Sequence, residues 1–210
     1  MIKKYEFTEE SKVICGRRLH RIRALRDFGG VEAGELGGFI EKEENLNHEG
    51  NCWVYANAVI YGDAEIYDNA RIHGNARIHG DAVIYGDAVI HGYARIYGNA
   101  EIFGDAVIYG NAEIFDNAKI YGRARICEGK WDKSPLYIQG TKWEFYVSSE
   151  NTITTGCQTH TYEEWQKNYK KTANEHDGLE VLTEYIRYFN LACEMYGKEE
   201  YKIDLKEKAA

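Results

Sequence analysis

Three histidines recur in the middle of the chain, where an imidazole could act as a general base or bind a metal ion. His73 and His91 are 18 residues apart, and His79 follows His73 by six residues. A catalytic histidine needs an acceptor that orients its ring and a pocket for its substrate, and the neighbouring sequence indicates neither. Because tyrosine fills the same slot elsewhere, we interpret all three as surface rings and predict no catalytic residue.

Two pairs of side chains have the chemistry of metal ligands. His73 and His91 would share a metal ion only if another subunit supplied a third ligand. Cys157 and His160 have the spacing C-x2-H, but one such pair is weak evidence for zinc. Cys157 is expected instead to pack beneath the helix that contains Trp165. We therefore predict no metal ion and no cofactor.

A cluster of arginines near the N-terminus offers a different chemistry. Guanidinium groups suit phosphate, and partly alternating arginines can give a strand a cationic face. Gly37-Gly38 could let backbone amides approach an anion. The alternative is that the glutamates that follow neutralise this cluster. The arginines are Arg17, Arg18, Arg21, Arg23 and Arg26, and the glutamates are Glu41, Glu43, Glu44 and Glu49.

The elements that must position these residues come from a strict repeat. From Val54 to Ile126 an aliphatic residue recurs at every sixth position, with an alanine four positions after each of the first twelve. Within a strand, period two places the alanine and the aliphatic residue on one face. The Gly-Asp or Gly-Asn pair that follows suits a sharp corner, and three corners close an 18-residue coil. An amphipathic helix needs spacings of three and four, which excludes it here.

The aliphatic-then-small pattern at i and i+4 resembles the left-handed parallel β-helix of hexapeptide-repeat proteins. We predict an all-β solenoid with added α-helices: a small N-terminal β cap over 1–39, the left-handed β-helix over 40–127, and a C-terminal α+β unit over 128–210. Ile40, Leu46 and Cys52 are in phase with the alanine column, so a partial first coil is expected from about Gly38.

The two flanking regions should cap the solenoid, because a coil cannot cover its own ends. A capping box at Thr161 predicts one helix to about Asn174, and Asp177-Gly178 should separate it from a second helix over 179–196 that ends at Gly197. Near the N-terminus, the runs 4–8 and 12–15 are expected to form strands. In the C-terminal unit, two or three strands are expected from the runs 136–139, 142–147 and 152–157.

Composition limits the classes of function. The net charge is −8 and is spread over the chain, so neither nucleic-acid binding through a basic face nor mimicry of DNA is expected. The five cysteines lie far apart with no CxxC, which favours free thiols in a reducing compartment. No signal peptide or long apolar run is present, so we expect a cytoplasmic protein that makes no membrane contact.

Residues one coil apart should stack, so the outward rings form one column on each of three faces. Such an apolar exterior predicts an oligomer, and hexapeptide β-helices commonly form trimers, which the resemblance therefore implies. The alternative is that stacked rings only stabilise the ladder. The columns are Tyr55, His73, His91 and Tyr109 on the first face, Tyr61, His79, Tyr97 and Phe115 on the second, and Tyr67, Tyr85, Phe103 and Tyr121 on the third. The predicted contact on the first face comprises His73, Val89, His91, Val107 and Tyr109.

Residues 20–29 (HRIRALRDFG) and 34–41 (GELGGFIE), followed by Cys52-Trp53-Val54-Tyr55 and the repeats, resemble a family of phage and prophage hexapeptide-repeat proteins. These are often labelled acyltransferases on fold analogy. Residues 156–165 resemble the tail of that family more loosely. The resemblance brings no established catalytic residue to this chain.

Three functional hypotheses follow from these observations. The first is a non-catalytic homotrimer that binds a small anionic or nucleotide-like ligand or a host protein, as a phage counter-defence factor would. Tyrosine and phenylalanine rings would receive bases, and arginines would hold phosphates. The second is an acyl-CoA-dependent acyltransferase, and the third is a structural scaffold. The predicted ligand-binding residues are Arg77, His79, Arg95 and Tyr97, with Arg21, Arg23 and Arg26.

Overall fold

The structure is a computed structural model of the chain, and it describes residues 2–172 and 181–205. The chain divides into two compact units, Met1–Ser134 and Pro135–Ala210. The first contains the repeats together with the N-terminal strands. The second contains a small antiparallel sheet and the two α-helices.

The repeats form a three-sided parallel β-solenoid, as the period of six predicted. Each hexad contributes a two-residue strand that pairs in register with the strand 18 positions away, such as Val89 with Val107. The strands are Trp53–Val54, Arg71–Ile72, Val89–Ile90, Val107–Ile108 and Arg125–Ile126 on the first face; Val59–Ile60, Arg77–Ile78, Arg95–Ile96, Glu113–Ile114 and Lys130–Trp131 on the second; and Glu65–Ile66, Val83–Ile84, Glu101–Ile102 and Lys119–Ile120 on the third.

The inside of the solenoid is filled by the alanine and isoleucine columns. Every alanine from Ala58 to Ala124 and every isoleucine from Ile60 to Ile126 is at most 1% exposed at the repeat positions. Glycines make the corners, because the chain turns there with positive φ. A Cβ on Gly80, at φ +75°, would lie 2.9 Å from the amide nitrogen of Gly98 on the next coil.

The N-terminal region extends the sheet of the second face. Strands β1 (Tyr5–Ile14), β2 (Arg17–Ala24) and β3 (Leu36–Ile40) are antiparallel neighbours, and β3 pairs in parallel with Val59–Ile60. The prediction of two separate strands over 4–8 and 12–15 was wrong. An irregularity in register between Phe7 and Ser11 lets one long strand remain paired with β2.

The first coil is confirmed, but its predicted phase was wrong for two residues. Ile40 pairs with Ile60 and Leu46 with Ile66, so both belong to the isoleucine column instead of the alanine column. Those partners are 20 positions apart, against 18 in the regular coils, which reveals two extra residues before Cys52. A short 3-10 helix, Glu43–Asn45, precedes Leu46 in this coil.

The C-terminal unit has a four-stranded antiparallel sheet, where two or three strands were expected. The additional strand, Gln158–Thr161, directly precedes the helix. The capping box at Thr161 is confirmed, because its Oγ accepts from the Glu164 amide at 3.1 Å and Glu164 accepts from the Thr161 amide at 2.9 Å. The strands are Tyr137–Gln139, Glu144–Val147, Thr152–Thr155 and Gln158–Thr161.

Helix α1 spans Tyr162–Thr172 and α2 spans Leu182–Met195, followed by a 3-10 turn at Glu199–Tyr201. The predicted end of the first helix, the break at 177–178 and the start of the second lie outside the described residues. Gly197, at φ +65°, follows α2 as expected. No helix in the described part of the chain is long and apolar enough to cross a membrane.

Candidate functional site

The ring column of the second face is a continuous stack. His79 lies between Tyr61 and Tyr97, with ring centroids 4.7 Å and 5.1 Å away and planes within 14° of parallel. Phe115 continues the stack 5.3 Å beyond Tyr97. Because each ring covers the face of the next, the column offers ring edges to solvent. A base could therefore not insert flat between these rings, although the sequence suggested that such rings receive bases.

Two arginines stand on adjacent rungs beside this column. Arg77 and Arg95 pair in register on the second face, and both are exposed. Arg77 has no ion pair among the residues that the structure describes. Arg95 lies 3.8 Å from the Glu113 carboxylate, which also lies 3.5 Å from Lys130 and accepts a 3.4 Å hydrogen bond from the Tyr97 hydroxyl.

Lys12 extends this set of cations toward the N-terminal strands. Its Nζ donates to the Asn57 carbonyl at 3.3 Å and lies 3.8 Å from the centre of the Phe39 ring. Burial and then the charges of Arg21 and Arg77 lower the pKa of Lys12. We define the cationic strip as Lys12, Arg77, Arg95 and Lys130.

The cations also act on the imidazole beside them. Burial lowers the pKa of His79 first, and the charges of Arg17, Arg77 and Arg95 lower it further. A neutral His79 is therefore favoured near neutral pH. The accumulated positive charge is only partly compensated, which makes this face the strongest candidate for binding an anion.

Most of the N-terminal arginines have carboxylate partners. Arg21 pairs with Glu10 at 3.2 Å, and Arg23 pairs with Glu6 across β1 and β2. Arg17 pairs with Glu41 at 3.0 Å. Of the four glutamates predicted to neutralise the cluster, all within the described residues, Glu41 is the one that forms an ion pair with an arginine of the cluster.

Arg26 lies over the Phe28 ring at 5.8 Å. Within the described residues, no contact joins Arg23 or Arg26 to the cationic strip. The prediction that Arg21, Arg23 and Arg26 bind a ligand therefore stays a prediction, with two of them already engaged by carboxylates.

The five residues predicted to form an oligomer contact do share the first face. Val89 and Val107 are direct neighbours in its ladder. The His91 and Tyr109 rings stack at 5.3 Å, and His73 stacks on Tyr55 at 4.1 Å. All five side chains are already partly buried within the single chain. The contact itself stays a prediction.

One of the two candidate metal pairs, Cys157 and His160, differs from expectation in its packing. Cys157 is exposed and does not pack beneath the helix of Trp165; the His160 ring does so, 6.1 Å away and edge-on. The strand Gln158–Thr161 carries His160 to the helix and leaves Cys157 in the preceding turn. Across residues 2–172 and 181–205, no group of three or more His, Cys, Asp or Glu side chains is placed to hold a metal ion.

Two further residues here were not among the predicted ligand-binding residues. Glu113 is the shared carboxylate of the cationic strip, and Tyr93 stands at a corner where ten of the twelve hexads have Asn or Asp. Tyr93 is 65% exposed. With Arg95, Asn111 and Glu113 it lines a cleft of about 290 Å³. The departure of Tyr93 from the repeat is the signal that could have identified it.

Comparison with known proteins supports the repeat assignment. The repeat described as "YdcK Beta solenoid repeat" matches residues 64–80 and 94–110. A protein of Escherichia coli (strain K12) named "Uncharacterized acetyltransferase YdcK" is 37% identical over 62 residues, which cover 26% of this chain and 19% of that protein. The match thus spans about a fifth of the relative's length. The repeats of this chain are β-solenoid repeats of the hexapeptide class, similar to those of YdcK.

Proposed function

We propose that this protein is a non-catalytic binding protein whose second face takes a small anionic, nucleotide-like ligand. The observation that carries the proposal is the placement of Arg77 and Arg95 on adjacent rungs with one shared carboxylate nearby. Adjacent rungs lie about 4.8 Å apart, so two guanidinium groups can hold one phosphate or bridge two linked phosphates.

The rigidity of the solenoid suits binding without chemistry. Backbone bonds such as Arg77 N–H to the Ala94 carbonyl, at 2.9 Å, fix the position of each rung. The arginines therefore project from a preorganised frame, which lowers the ordering cost of binding. The strip is short and flanked by Glu113, which favours a small anion over a nucleic-acid backbone.

We further propose that the chain forms a homotrimer whose subunits meet through the first face. The apolar pair Val89 and Val107 on that face supports this contact. We also propose a phage-type counter-defence role in the host cytoplasm, by sequestering a nucleotide signal or blocking a host protein. This role rests on the resemblance of residues 20–29, 34–41 and 52–55 and the repeats to phage and prophage proteins.

Calorimetric titration with inorganic pyrophosphate tests the binding function. We expect saturable binding to the wild type and a large loss in an Arg77→Gln/Arg95→Gln variant. The matched control is Arg71→Gln/Arg125→Gln, because these arginines occupy the same hexad slot on the first face. Equal loss in both variants, or no binding by the wild type, would count against the proposal.

An acetyl-CoA-dependent acetyltransferase is the second candidate, favoured by the name of the E. coli relative. His79 would be the base, since the depressed pKa keeps its imidazole neutral. No hydrogen bond that orients this imidazole is present in the described residues, however. Turnover of acetyl-CoA that disappears in His79→Ala or His91→Ala would reverse the order of the two candidates.

A further inference from the structure

Tyr93 is the exception in an otherwise regular exterior. Among residues 54–126, all of which the structure describes, it is the one large apolar side chain that is exposed. The corners above and below it in the same column are Asn75 and Asn111, which leave its ring without an aromatic neighbour. A residue that breaks a local rule without a packing gain suggests a functional site.

The exposed ring differs from the stacked columns in what it can offer a ligand. Tyr97 is covered on both sides by His79 and Phe115. The Tyr93 ring stacks on no other ring in the described chain, so it can receive a flat aromatic group. Its neighbour Arg95 lines the same cleft and belongs to the cationic strip.

The remaining walls of the cleft have complementary polar chemistry. The Asn111 amide can both donate and accept hydrogen bonds, and the Glu113 carboxylate accepts them. A carboxylate disfavours bare phosphate but suits ribose hydroxyls or an exocyclic amine. Arginine, amide, carboxylate and open ring therefore lie together within a cleft of about 290 Å³.

We propose that Tyr93 is a stacking platform for a nucleobase, and that this cleft binds a nucleoside phosphate whose phosphates lie on Arg95 and Arg77. The inference rests on the proposed anion-binding function and names its ligand class. The base lies on the Tyr93 ring, Asn111 and Glu113 contact the base edge or the ribose, and the two arginines hold the phosphates.

The test compares three probes by calorimetry: adenosine 5′-diphosphate, ribose 5-phosphate and inorganic pyrophosphate. Tyr93→Asn restores the residue that most corners carry, so the fold should be retained. We expect Tyr93→Asn to weaken the binding of adenosine 5′-diphosphate by about 5- to 150-fold, the range for loss of one base–aromatic stack. Pyrophosphate binding should be unchanged by Tyr93→Asn. The separate variant Tyr93→Phe keeps the ring and should bind the nucleotide as tightly as the wild type does.

Arg123→Asn is the matched control, because Arg123 is the other corner residue that departs from Asn or Asp. It should leave all three affinities unchanged. Two outcomes would refute the base platform and leave the anion site standing, provided that pyrophosphate still binds. In the first, Tyr93→Asn binds the nucleotide as the wild type does. In the second, the nucleotide binds no tighter than ribose 5-phosphate. If none of the probes binds, both proposals fall.

Discussion

Arg77 and Arg95 are direct neighbours in a parallel ladder, so two like charges occupy adjacent rungs of the second face. Like charges opposite each other in a sheet destabilise it. A solenoid that keeps such a pair sacrifices some stability, and an anion bound between the two side chains would recover it.

Arg77→Gln should therefore stabilise the free protein while it weakens anion binding. We expect a gain of about 0.5 kcal/mol in the free energy of unfolding at low salt, which high salt should erase. Urea denaturation at two salt concentrations measures it. Arg71→Gln is the control, because its ladder neighbours are Trp53 and Val89 and carry no charge. A loss of stability in Arg77→Gln would contradict the idea of repulsion.

The pKa of His79 should report the same charges. Neutralising Arg95 removes one of the cations that lower this pKa, so Arg95→Gln should raise it toward its ordinary value, as followed by NMR titration. Arg125→Gln, on the first face, should leave it unchanged. An equal shift in both variants would show that Arg95 exerts no local influence on His79.

Stability should also depend on this imidazole. A depressed pKa in the folded state means that the unfolded chain binds more protons, so stability falls as the pH drops below about 6.5. His79→Phe should retain the stack, since Phe115 fills the same slot, and should reduce this acid loss. Denaturation curves near neutral and mildly acidic pH measure the difference. His73 and His48 also have lowered pKa values and will leave a residual slope.

Lys4 should be essential for the first coil. It is fully buried, and its Nζ donates to the Cys52 carbonyl at 2.9 Å, to the Glu49 carbonyl at 3.3 Å and to the Cys52 Sγ at 3.2 Å. Lys4→Ala leaves these acceptors unpaired beside a cavity, so we expect a loss of about 3–5 kcal/mol in chemical denaturation. Lys3→Ala removes only an exposed ion pair with Glu43 and should change stability by less than about 1 kcal/mol. Similar effects of the two variants would argue against the buried contacts.

Corner glycines should tolerate no side chain except where the chain already accommodates one. Gly80→Ala combines a positive φ with a close approach to Gly98, so we expect a loss of about 1–3 kcal/mol in thermal or chemical unfolding. Asp116 occupies the corresponding corner two coils further on, at φ +54°. Asp116→Gly should therefore be nearly neutral or mildly stabilising. A harmless Gly80→Ala would mean that the corners relax easily.

The proposed trimer can be tested on its own. Sedimentation equilibrium should give three times the mass of 24.1 kDa, and Val89→Glu on the first face should reduce it. The new carboxylate would lie beside Arg71, which keeps the ladder locally favourable. Val83→Lys, set between Glu65 and Glu101 on the third face, is the control and should leave assembly intact. A monomeric wild type would contradict the proposed contact through the first face.

The sequence alone was sufficient for the solenoid, because a period of six leaves one arrangement of strands and corners. It could not reveal the two extra residues before Cys52, since Ile40 and Leu46 fit either column by type. The pairing of Arg21 and Arg23 with Glu10 and Glu6 depends on the register of β1 and β2, which no local pattern encodes.

The candidate site was predicted only in part. Arg77, Arg95, His79 and Tyr97 share one face because they are spaced by the coil length or flank the same strands. The period also predicted stacked ring columns, but it did not show that stacking closes the ring faces. The period places Glu113 in register with Arg95, but it could not show that this carboxylate also lies near Lys130 and the Tyr97 hydroxyl. The period likewise does not reveal the cleft that Tyr93 lines with Arg95, Asn111 and Glu113.

NMR of the arginine side chains during titration with pyrophosphate tests most directly whether an anion binds at Arg77 and Arg95. We predict that the Nε–H signals of Arg77 and Arg95 shift together and saturate, while those of Arg71 and Arg125 on the first face stay in place. Uniform small shifts of all arginines, or saturation confined to the first face, would contradict it.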